Sequence, residues 1–351
     1  MPIDKVIEFN DIFAMTDKYY CADNGSPCYD PVVVVKTAFL QHLFGIRSFR
    51  QTIKEVETNI AYRWFLHYNL DTAIPHFATI SYAFATRFPD ELFMEIFSWI
   101  LERAGEKGLV DASAIFSDAT HINANANKKK HRKEQAQFAA RIYDERLKQE
   151  INEDRIAHGK KPLKEKTEEL QPGKTITTST NDPDCGLFRK GEHKAEFAYT
   201  ACDKHDFVLG TTVTAGNVHD SVVFDKVYDE VTESFSEVEA VAVDAGYKTP
   251  WICKKVIDDG KEISTPYKRP MTKEGFFKSY CVVCPNNKVL SYSTTNRDGY
   301  KEFKSNPKDC DKCTNSKTHQ KLVTKQIWSD YIDFAEDIRH SEHGKDAKSN
   351  H

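Results

Sequence analysis

The chain has 351 residues, of which 40% are hydrophobic and 29% charged, and its formal net charge is −4 at pH 7. This length is enough for one large or two ordinary domains with a sizeable core. No apolar run approaches the roughly 20 residues of a membrane-spanning helix, and the N-terminus lacks the basic and then apolar segments of a signal peptide. The composition predicts a globular cytoplasmic protein with no membrane partner, and its charge does not indicate a nucleic-acid partner.

Residues 1–107 are predicted to form an all-helical domain. Asp30 precedes a proline, which is typical of a helix N-cap followed by proline in the first helical position. Ser48 stands three residues before a glutamine and resembles a capping box. Several short helices in a row can include a helix–turn–helix, for which 48–57 and 80–87 are the candidates, although most such clusters are packing units. This domain is therefore only a candidate for DNA binding.

Two apolar stretches, far apart in the chain, are each followed by an aspartate. The first, 110–116, is predicted to be a buried strand that delivers Asp118 at its end, and the second, 238–246, carries Asp244 before a glycine turn. A single aspartate in such a place is more often a turn residue that hydrogen-bonds its own backbone. Two of them, at equivalent ends of core strands, provide what a two-cation carboxylate site needs. They are the candidate catalytic residues and the candidate ligands of Mg²⁺ or Mn²⁺.

Basic residues follow the first of these strands and recur after the second. The highly charged segment 128–175 has only a thin apolar stripe, which predicts a solvated helical insertion. The candidate contacts to a DNA backbone are Lys128, Lys129, Lys130, Arg132, Lys268 and Arg269. The candidate polar residues around the metal site are His121, Asp184 and His219. Strands and helices otherwise alternate through 108–270, which predicts an α/β domain with a central mixed sheet flanked by helices.

The segment 271–351 contains four of the nine cysteines, as two C-x-x-C pairs. These residues are Cys281, Cys284, Cys310 and Cys313. Two such pairs suit tetrahedral Zn²⁺ with four thiolates, so zinc is a candidate cofactor, with His319 as a substitute ligand. The alternative is four reduced cysteines in a surface β-hairpin around 291–296. A secreted disulfide framework is not expected, because the cysteine count is odd and no signal peptide precedes it.

Four sequence runs together resemble the DDE transposases of bacterial insertion sequences. They are SDATHINANANKKK at Asp118, STNDPDCGLFRKGEHKAEFAYTACDKHDFVLG, TAGNVHDSVVFDK, and AVAVDAGYKTPWICKK around Asp244. The resemblance extends over nearly the whole chain and is to the group with a helical N-terminal domain and a C-terminal cysteine-bearing segment. It implies a ribonuclease-H-like catalytic fold, two Mg²⁺ ions, and cut-and-paste joining of element ends to target DNA. It also implies terminal inverted repeats as the DNA partner, a homodimer on DNA, and association with the nucleoid.

The third acid of the family, a glutamate on a helix after the cysteine segment, has no matching run here. Glu336 and Asp337 precede the place where it would come, and Glu342 lies in a polar tail. The resemblance therefore leads us to expect a copy cut short, with cleavage absent or badly impaired. Three hypotheses follow: a Mg²⁺-dependent strand transferase or its degenerate copy, a non-catalytic DNA-binding remnant that occupies element ends and represses transposition, and a metal-dependent nuclease with another substrate.

Overall fold

A computed structural model gives the fold of the chain. It describes residues 7–21, 28–123, 131–136, 143–164, 174–179, 186–187, 194–215, 220–267, 277–278, 281–284, 286–311, 313 and 319–340. Contacts divide the chain into two compact units, Met1–Val110 and Asp111–His351. The finer division that the sequence suggests, with boundaries at 107 and 270, stays a prediction. None of the described helices combines the length and the apolar character needed to cross a membrane.

The described part of the first unit is helical, as predicted. Its elements are α1 (Asp11–Thr16), a 3₁₀ turn (Asp17–Tyr19), α2 (Pro31–Leu43), α3 (Phe49–Thr58), α4 (Ile60–Phe65), α5 (Phe77–Tyr82) with a π-helical turn (Ala83–Arg87), and α6 (Asp90–Glu106). Both predicted caps form. A carboxylate oxygen of Asp30 accepts a hydrogen bond from the Val32 N–H at 2.8 Å, and Ser48 Oγ accepts one from the Gln51 N–H at 3.3 Å. These bonds satisfy backbone donors that the first helical turn leaves unpaired.

Two cationic side chains are buried among the described residues of this helical unit. Lys36 is 2% exposed, and its Nζ donates to the Phe65 carbonyl at 3.1 Å and lies 4.8 Å from the centre of the Phe9 ring. Arg63 is 7% exposed and donates to the carbonyls of three residues in the following loop. The acceptors are Asn69, Leu70 and Thr72. Arg63 therefore holds a loop in place, and its guanidinium is not presented to a phosphate.

The second unit is built on a mixed sheet. Its strands are β1 (Ala114–Asn123), β2 (His131–Ala136), β3 (Lys174–Ser179), β4 (Gly186–Leu187), β5 (Lys194–Cys202), β6 (Val208–Ala215), β7 (Ala240–Val243) and β8 (Glu262–Ser264). Five of them pair in the order β6-β5-β1-β7-β8. Strand β5 is antiparallel to both β1 and β6, whereas β7 is parallel to both β1 and β8. This order and these directions are those of a ribonuclease-H-like sheet, so the predicted fold class is confirmed.

Helices and a second sheet complete this unit. The helices are α7 (Asp144–Ala157), α8 (Asp220–Ser234), α9 (Pro250–Asp258), α10 (Pro307–Cys310) and α11 (Ser329–His340). The second sheet contains β9 (Phe277–Lys278), β10 (Cys281–Val283), β11 (Val289–Thr295), β12 (Tyr300–Lys304) and β13 (Leu322–Gln326), all antiparallel and in the order β13-β12-β11-β10-β9. Helix α8 packs against β5 and β6, while α11 packs against α9 and β8. Helices α8 and α11 thus pack against strands on opposite sides of β7 in the sheet order.

The charged insertion is a correction to the sequence prediction. Among the described residues, only the middle part of the segment, α7, is helical. The parts before and after it form β2 and β3, which pair antiparallel with each other over six residue pairs. Strand β3 also pairs with β4, and β4 pairs antiparallel with the beginning of β5. These strands are stabilised by long-range pairing and lack the alternation of apolar and polar residues from which a strand is predicted.

Helix α7 joins two parts of the second unit. Asp154 accepts a hydrogen bond from Thr295 Oγ1 at 2.5 Å and pairs with Lys301 Nζ at 2.7 Å, and Arg155 donates to the Thr295 carbonyl at 2.8 Å. Burial raises the pKa of Asp154, but the hydrogen bonds from Lys301 and Thr295 outweigh it, and the net pKa is lowered. Toward the N-terminal end of α7, Arg146 pairs with Asp258 of α9 at 2.8 Å. The helix therefore binds β11 and β12 near its C-terminal end and α9 near its N-terminal end.

The segment before β1 contains a carboxylate that responds to acid. The Lys204 ammonium and then the Ser113 hydroxyl donate to Asp111 and lower its pKa from 3.8 to about 2. Because the folded-state pKa is the lower one, the stabilisation is complete above pH 4 and is lost as the pH falls toward 2. We expect Asp111→Asn to flatten this part of the pH dependence in urea denaturation between pH 2 and 6. An unchanged slope would contradict the assignment, and Asp298→Asn, which removes an exposed carboxylate, is the control.

Candidate active site

Two neighbouring parallel strands end their pairing immediately before the two aspartates. The pairing of β1 with β7 runs to Ser117 opposite Val243, and Asp118 and Asp244 are the next residues on the two strands. Successive side chains of a strand alternate between faces, so these aspartates share the face of Phe116 and its partner on β7. Ser117 and Val243 are buried, whereas both aspartates are exposed. The fold thus brings two residues that are distant in sequence to equivalent positions on one face of the sheet.

The two aspartates also have the same local hydrogen bond. Oδ1 of Asp118 accepts from the Ala119 N–H at 2.7 Å, and Oδ1 of Asp244 accepts from the Ala245 N–H at 2.5 Å. Adjacent strands lie about 4.8 Å apart. Two carboxylates at that spacing can share a divalent cation whose oxygen ligands bind at about 2.1 Å. The donor set consists of hard oxygen atoms, which suits Mg²⁺ or Mn²⁺ better than a metal that prefers thiolates.

The position of Asp118 within its strand differs from the prediction. Strand β1 begins at Ala114 and continues to Asn123, so Asp118 lies inside it and not at its end. The strand continues because β5 pairs with it as far as Asn123, while β7 provides no partner beyond Ser117. Among the residues that the structure describes, Asp118 is therefore held by strand pairing on one edge only. An apolar run in the sequence does not define where such a strand begins. It also does not reveal the partner strand, here β5, whose pairing makes β1 longer.

Most of the other predicted site residues are not placed by the structure. The backbone of His121 lies in β1 opposite Phe197, and that of Arg132 lies in β2 opposite Thr178, but the side chains of both fall outside the described residues. The remaining candidates also fall outside them: Asp184, His219, Lys128, Lys129, Lys130, Lys268 and Arg269. Their roles stay predictions.

A buried lysine follows Asp244 by four residues. The side chain of Lys248 is 3% exposed, and its Nζ pairs with the carboxylate of Glu336, whose side chain is 26% exposed. This ion pair ties α11 to the turn that follows Asp244. The sequence indicates Glu336 only as a residue before the missing family acid, and it does not point to Lys248. A lysine in the short segment between β7 and α9 is the available signal, because a buried cation needs a partner.

Glu336 does not complete a three-carboxylate site in the described part of the chain. Among the described residues, no three histidine, cysteine, aspartate or glutamate side chains gather closely enough to hold a metal ion. Asp118 and Asp244 therefore form a pair, and Glu336 is engaged by Lys248.

We expect Lys248→Ala to lower the free energy of unfolding of this unit by about 1–3 kcal/mol, because it leaves a partly buried carboxylate without its cation. Urea denaturation followed by circular dichroism would measure the change. The double variant Lys248→Met with Glu336→Gln should recover part of the loss, since it removes both charges together. Equal stabilities for wild type and Lys248→Ala would show that the ion pair does not anchor α11.

The cysteines lie in and beside the second sheet. Cys281 is in β10, Cys284 directly follows that strand, and Cys310 ends α10. Cys284, Cys310 and Cys313 are free thiols of intermediate exposure. The proposed substitute ligand His319 is 97% exposed on its side chain, and its Nδ1 lies 2.8 Å from the Asp311 carboxylate. The His319 ring is therefore directed toward the Asp311 carboxylate.

The comparison with known families concerns the helical unit. Residues 1–86 are similar to the family described as Transposase domain (DUF772). The matched residues span α1 to α5 and do not include β1, which carries Asp118, or β7, which Asp244 directly follows. No curated protein matches the chain.

The chain also has a weak likeness to solved structures of transposases. The Mos1 transposase paired-end complex with left transposon end is 10% identical, with a TM-score of 0.22 over 70% of this chain and 61% of that one. The Mos1 strand transfer complex is 12% identical, with a TM-score of 0.22 over 70% and 60% of the chains. A piggyBac transposase synaptic complex with hairpin DNA is 7% identical, with a TM-score of 0.30 over 90% and 57%. The matched region thus covers less than two thirds of each of these chains, and likeness at this level assigns no activity.

Proposed function

We propose that the protein is a transposase that cuts DNA at the ends of an insertion element and joins them to target DNA by metal-dependent phosphoryl transfer. The observation that carries this proposal is the register of β1 and β7, which places Asp118 and Asp244 side by side. The similarity of residues 1–86 to a transposase domain family supports the same function independently.

The two aspartates would hold Mg²⁺ or Mn²⁺ through their exposed carboxylate oxygens. Such ions, when bound, activate a water or a 3′-hydroxyl and stabilise the charge on the reacting phosphate. The chain's own contribution is positioning. Strand β1 pairs with β7 up to Ser117 and with β5 from Phe116 onward, and the Ala119 and Ala245 N–H groups orient the two carboxylates. Rigid placement of this kind is what keeps a reacting phosphate in line with its nucleophile.

DNA would be bound mainly through its phosphates. We assign this role to the basic residues that follow the two aspartate strands in sequence, namely Lys128, Lys129, Lys130, Arg132, Lys268 and Arg269. Each phosphate contact releases counterions, so binding should weaken steeply as salt increases. Two copies of the chain, one on each terminal inverted repeat, are the expected assembly.

The proposal can be tested with the purified chain and DNA fragments that carry the element's ends. Strand cleavage is expected with Mg²⁺ or Mn²⁺ and not with EDTA. A second measurement does not depend on turnover: Fe²⁺ with ascorbate and peroxide should cut the polypeptide near residues 118 and 244, and excess Mg²⁺ should suppress the cuts. Polypeptide cuts elsewhere, or none, would argue against the assigned metal site even if DNA is cleaved.

A non-catalytic role is the second candidate. The observation that favours it is the engagement of Glu336 by Lys248, which leaves the aspartate pair without a third carboxylate among the described residues. Such a protein would occupy element ends and repress transposition. Salt-sensitive binding to the terminal repeats, without cleavage in Mg²⁺ or Mn²⁺, would favour this function over strand transfer.

A further inference from the structure

We infer that Lys248 and Glu336 position the Asp244 carboxylate for metal binding. The two residues form an ion pair 88 positions apart in the chain, which joins the turn after Asp244 to helix α11. Lys248 is then a positioning residue and not a metal ligand. The inference rests on the proposed function, because it concerns the affinity of the aspartate pair for Mg²⁺ or Mn²⁺.

The turn after Asp244 is tied together by its own backbone. The Tyr247 N–H donates to the Asp244 carbonyl at 3.0 Å, and the Thr249 N–H donates to the Tyr247 carbonyl at 2.7 Å. Thr249 Oγ1 then accepts from the Ile252 N–H at 3.3 Å as the N-cap of α9. Because these bonds link the backbone of Asp244 to the first turn of α9, a shift of Lys248 between them moves the aspartate as well.

Two adjacent side chains fix this turn to different helices. Tyr247 is 2% exposed, and its ring centre lies 6.0 Å from that of Phe224 in α8. The side chain of Lys248 is buried, and its Nζ pairs with the Glu336 carboxylate of α11. The turn is therefore held by α8 through one contact and by α11 through the other.

Helix α11 provides a fixed point for this ion pair because other contacts anchor the helix. The Tyr331 hydroxyl donates to the Asp258 carboxylate at 3.0 Å and accepts from Lys254 Nζ at 3.1 Å, and both of these partners belong to α9. Ala335, the neighbour of Glu336, is fully buried. The Glu336 carboxylate thus extends from a part of α11 that cannot move without breaking these contacts.

An ion pair in this place suits a positioning role better than a purely stabilising one. Removing two charges from water costs about as much as their attraction returns, so a buried pair is often no more stabilising than apolar side chains of similar size. Groups that hold a metal ligand in place, by contrast, typically change metal affinity by about 10–100-fold when they are removed. The pair of Lys248 and Glu336 should therefore matter more for metal binding than for folding.

The test compares metal affinity with stability in the same variants of the full chain. Mn²⁺ binding is measured without DNA, from the electron paramagnetic resonance signal of the free ion, and the aspartate site is defined as the binding that Asp244→Asn removes. The double variant Lys248→Met with Glu336→Gln should be more stable in urea than Lys248→Ala, yet bind Mn²⁺ at this site about tenfold more weakly than wild type. Arg146→Gln is the matched control, because it removes a different ion pair with α9 and should leave the Mn²⁺ affinity unchanged.

Glu336→Asp decides the matter if the double variant fails to fold. It keeps both charges but shortens the acid by one methylene, so the turn must shift and Mn²⁺ binding should weaken. If wild type binds Mn²⁺ at the aspartate site and the folded variant binds it with the same affinity, the ion pair serves the fold alone; the inference is overturned while the proposed metal site stands. If Asp244→Asn and wild type bind Mn²⁺ alike, the proposed metal site fails and the inference fails with it.

Discussion

Asp244→Asn is expected to lower metal-dependent DNA cleavage by at least about a thousand-fold, because a catalytic metal ion contributes several kcal/mol of transition-state stabilisation. The change keeps the size of the side chain and leaves an amide oxygen that can still accept from the Ala245 N–H, so the fold should not suffer. Initial rates of strand cleavage on the element's ends, measured in Mg²⁺, would quantify the loss. Binding to the same DNA should change by less than about threefold, since its phosphate contacts come from other residues.

Asp118→Asn should cause a loss of similar size, and the double variant should be little worse than either single one, because residues that act as a unit are not additive. The matched control is Glu237→Gln, which removes one exposed carboxylate near the opposite end of β7. A cleavage rate within tenfold of wild type for either aspartate variant would refute the assignment of that residue as a metal ligand.

Trp328→Ala should produce the largest loss of stability, about 3–5 kcal/mol, since it removes a large buried side chain and leaves a cavity. Trp328 is 2% exposed, and its ring centre lies 5.5 Å from those of both Tyr143 and Trp251. Its Nε1 donates to Glu150 of α7 at 2.5 Å. Guanidinium denaturation should show the transition of the second unit at a lower midpoint, while the helical unit is unaffected.

Two variants separate the contributions of Trp328. Trp328→Phe keeps most of the ring packing but loses the hydrogen bond to Glu150, so its loss should be about 1–2 kcal/mol. Trp64→Ala is the control, because Trp64 is 57% exposed and lies in the other unit. If Trp328→Ala unfolds at the wild-type midpoint, the aromatic cluster does not support α11.

The features that could be predicted from the sequence are those with local causes. Asp30 and Ser48 cap their helices because each side chain reaches backbone donors two or three residues away. Strand β7 and the first part of β1 could be found because their apolar residues are consecutive. The ribonuclease-H-like sheet was expected from a resemblance, and the order of its strands agrees with it.

The features that could not be predicted depend on partners far away in the chain. Lys248 can be buried because its ammonium group pairs with the carboxylate of Glu336, 88 residues later. Strands β2 and β3 form because they pair with each other across α7, and no local preference requires them. The site itself shows the same limit. The sequence identified both aspartates, but only the register of β1 with β7 shows that they lie at the same level.

Helix α7 has a consequence for how this protein tolerates change. A charged segment of low apolar content ordinarily tolerates a deletion or an inserted tag. Here, however, Asp154 and Arg155 bind the cysteine-bearing sheet, and Arg146 binds α9. These side-chain contacts connect the cysteine-bearing sheet to α9 through α7. A shorter α7 would lose the contacts that hold the cysteine-bearing sheet. We therefore expect natural differences in chain length to occur on either side of α7 and not within it.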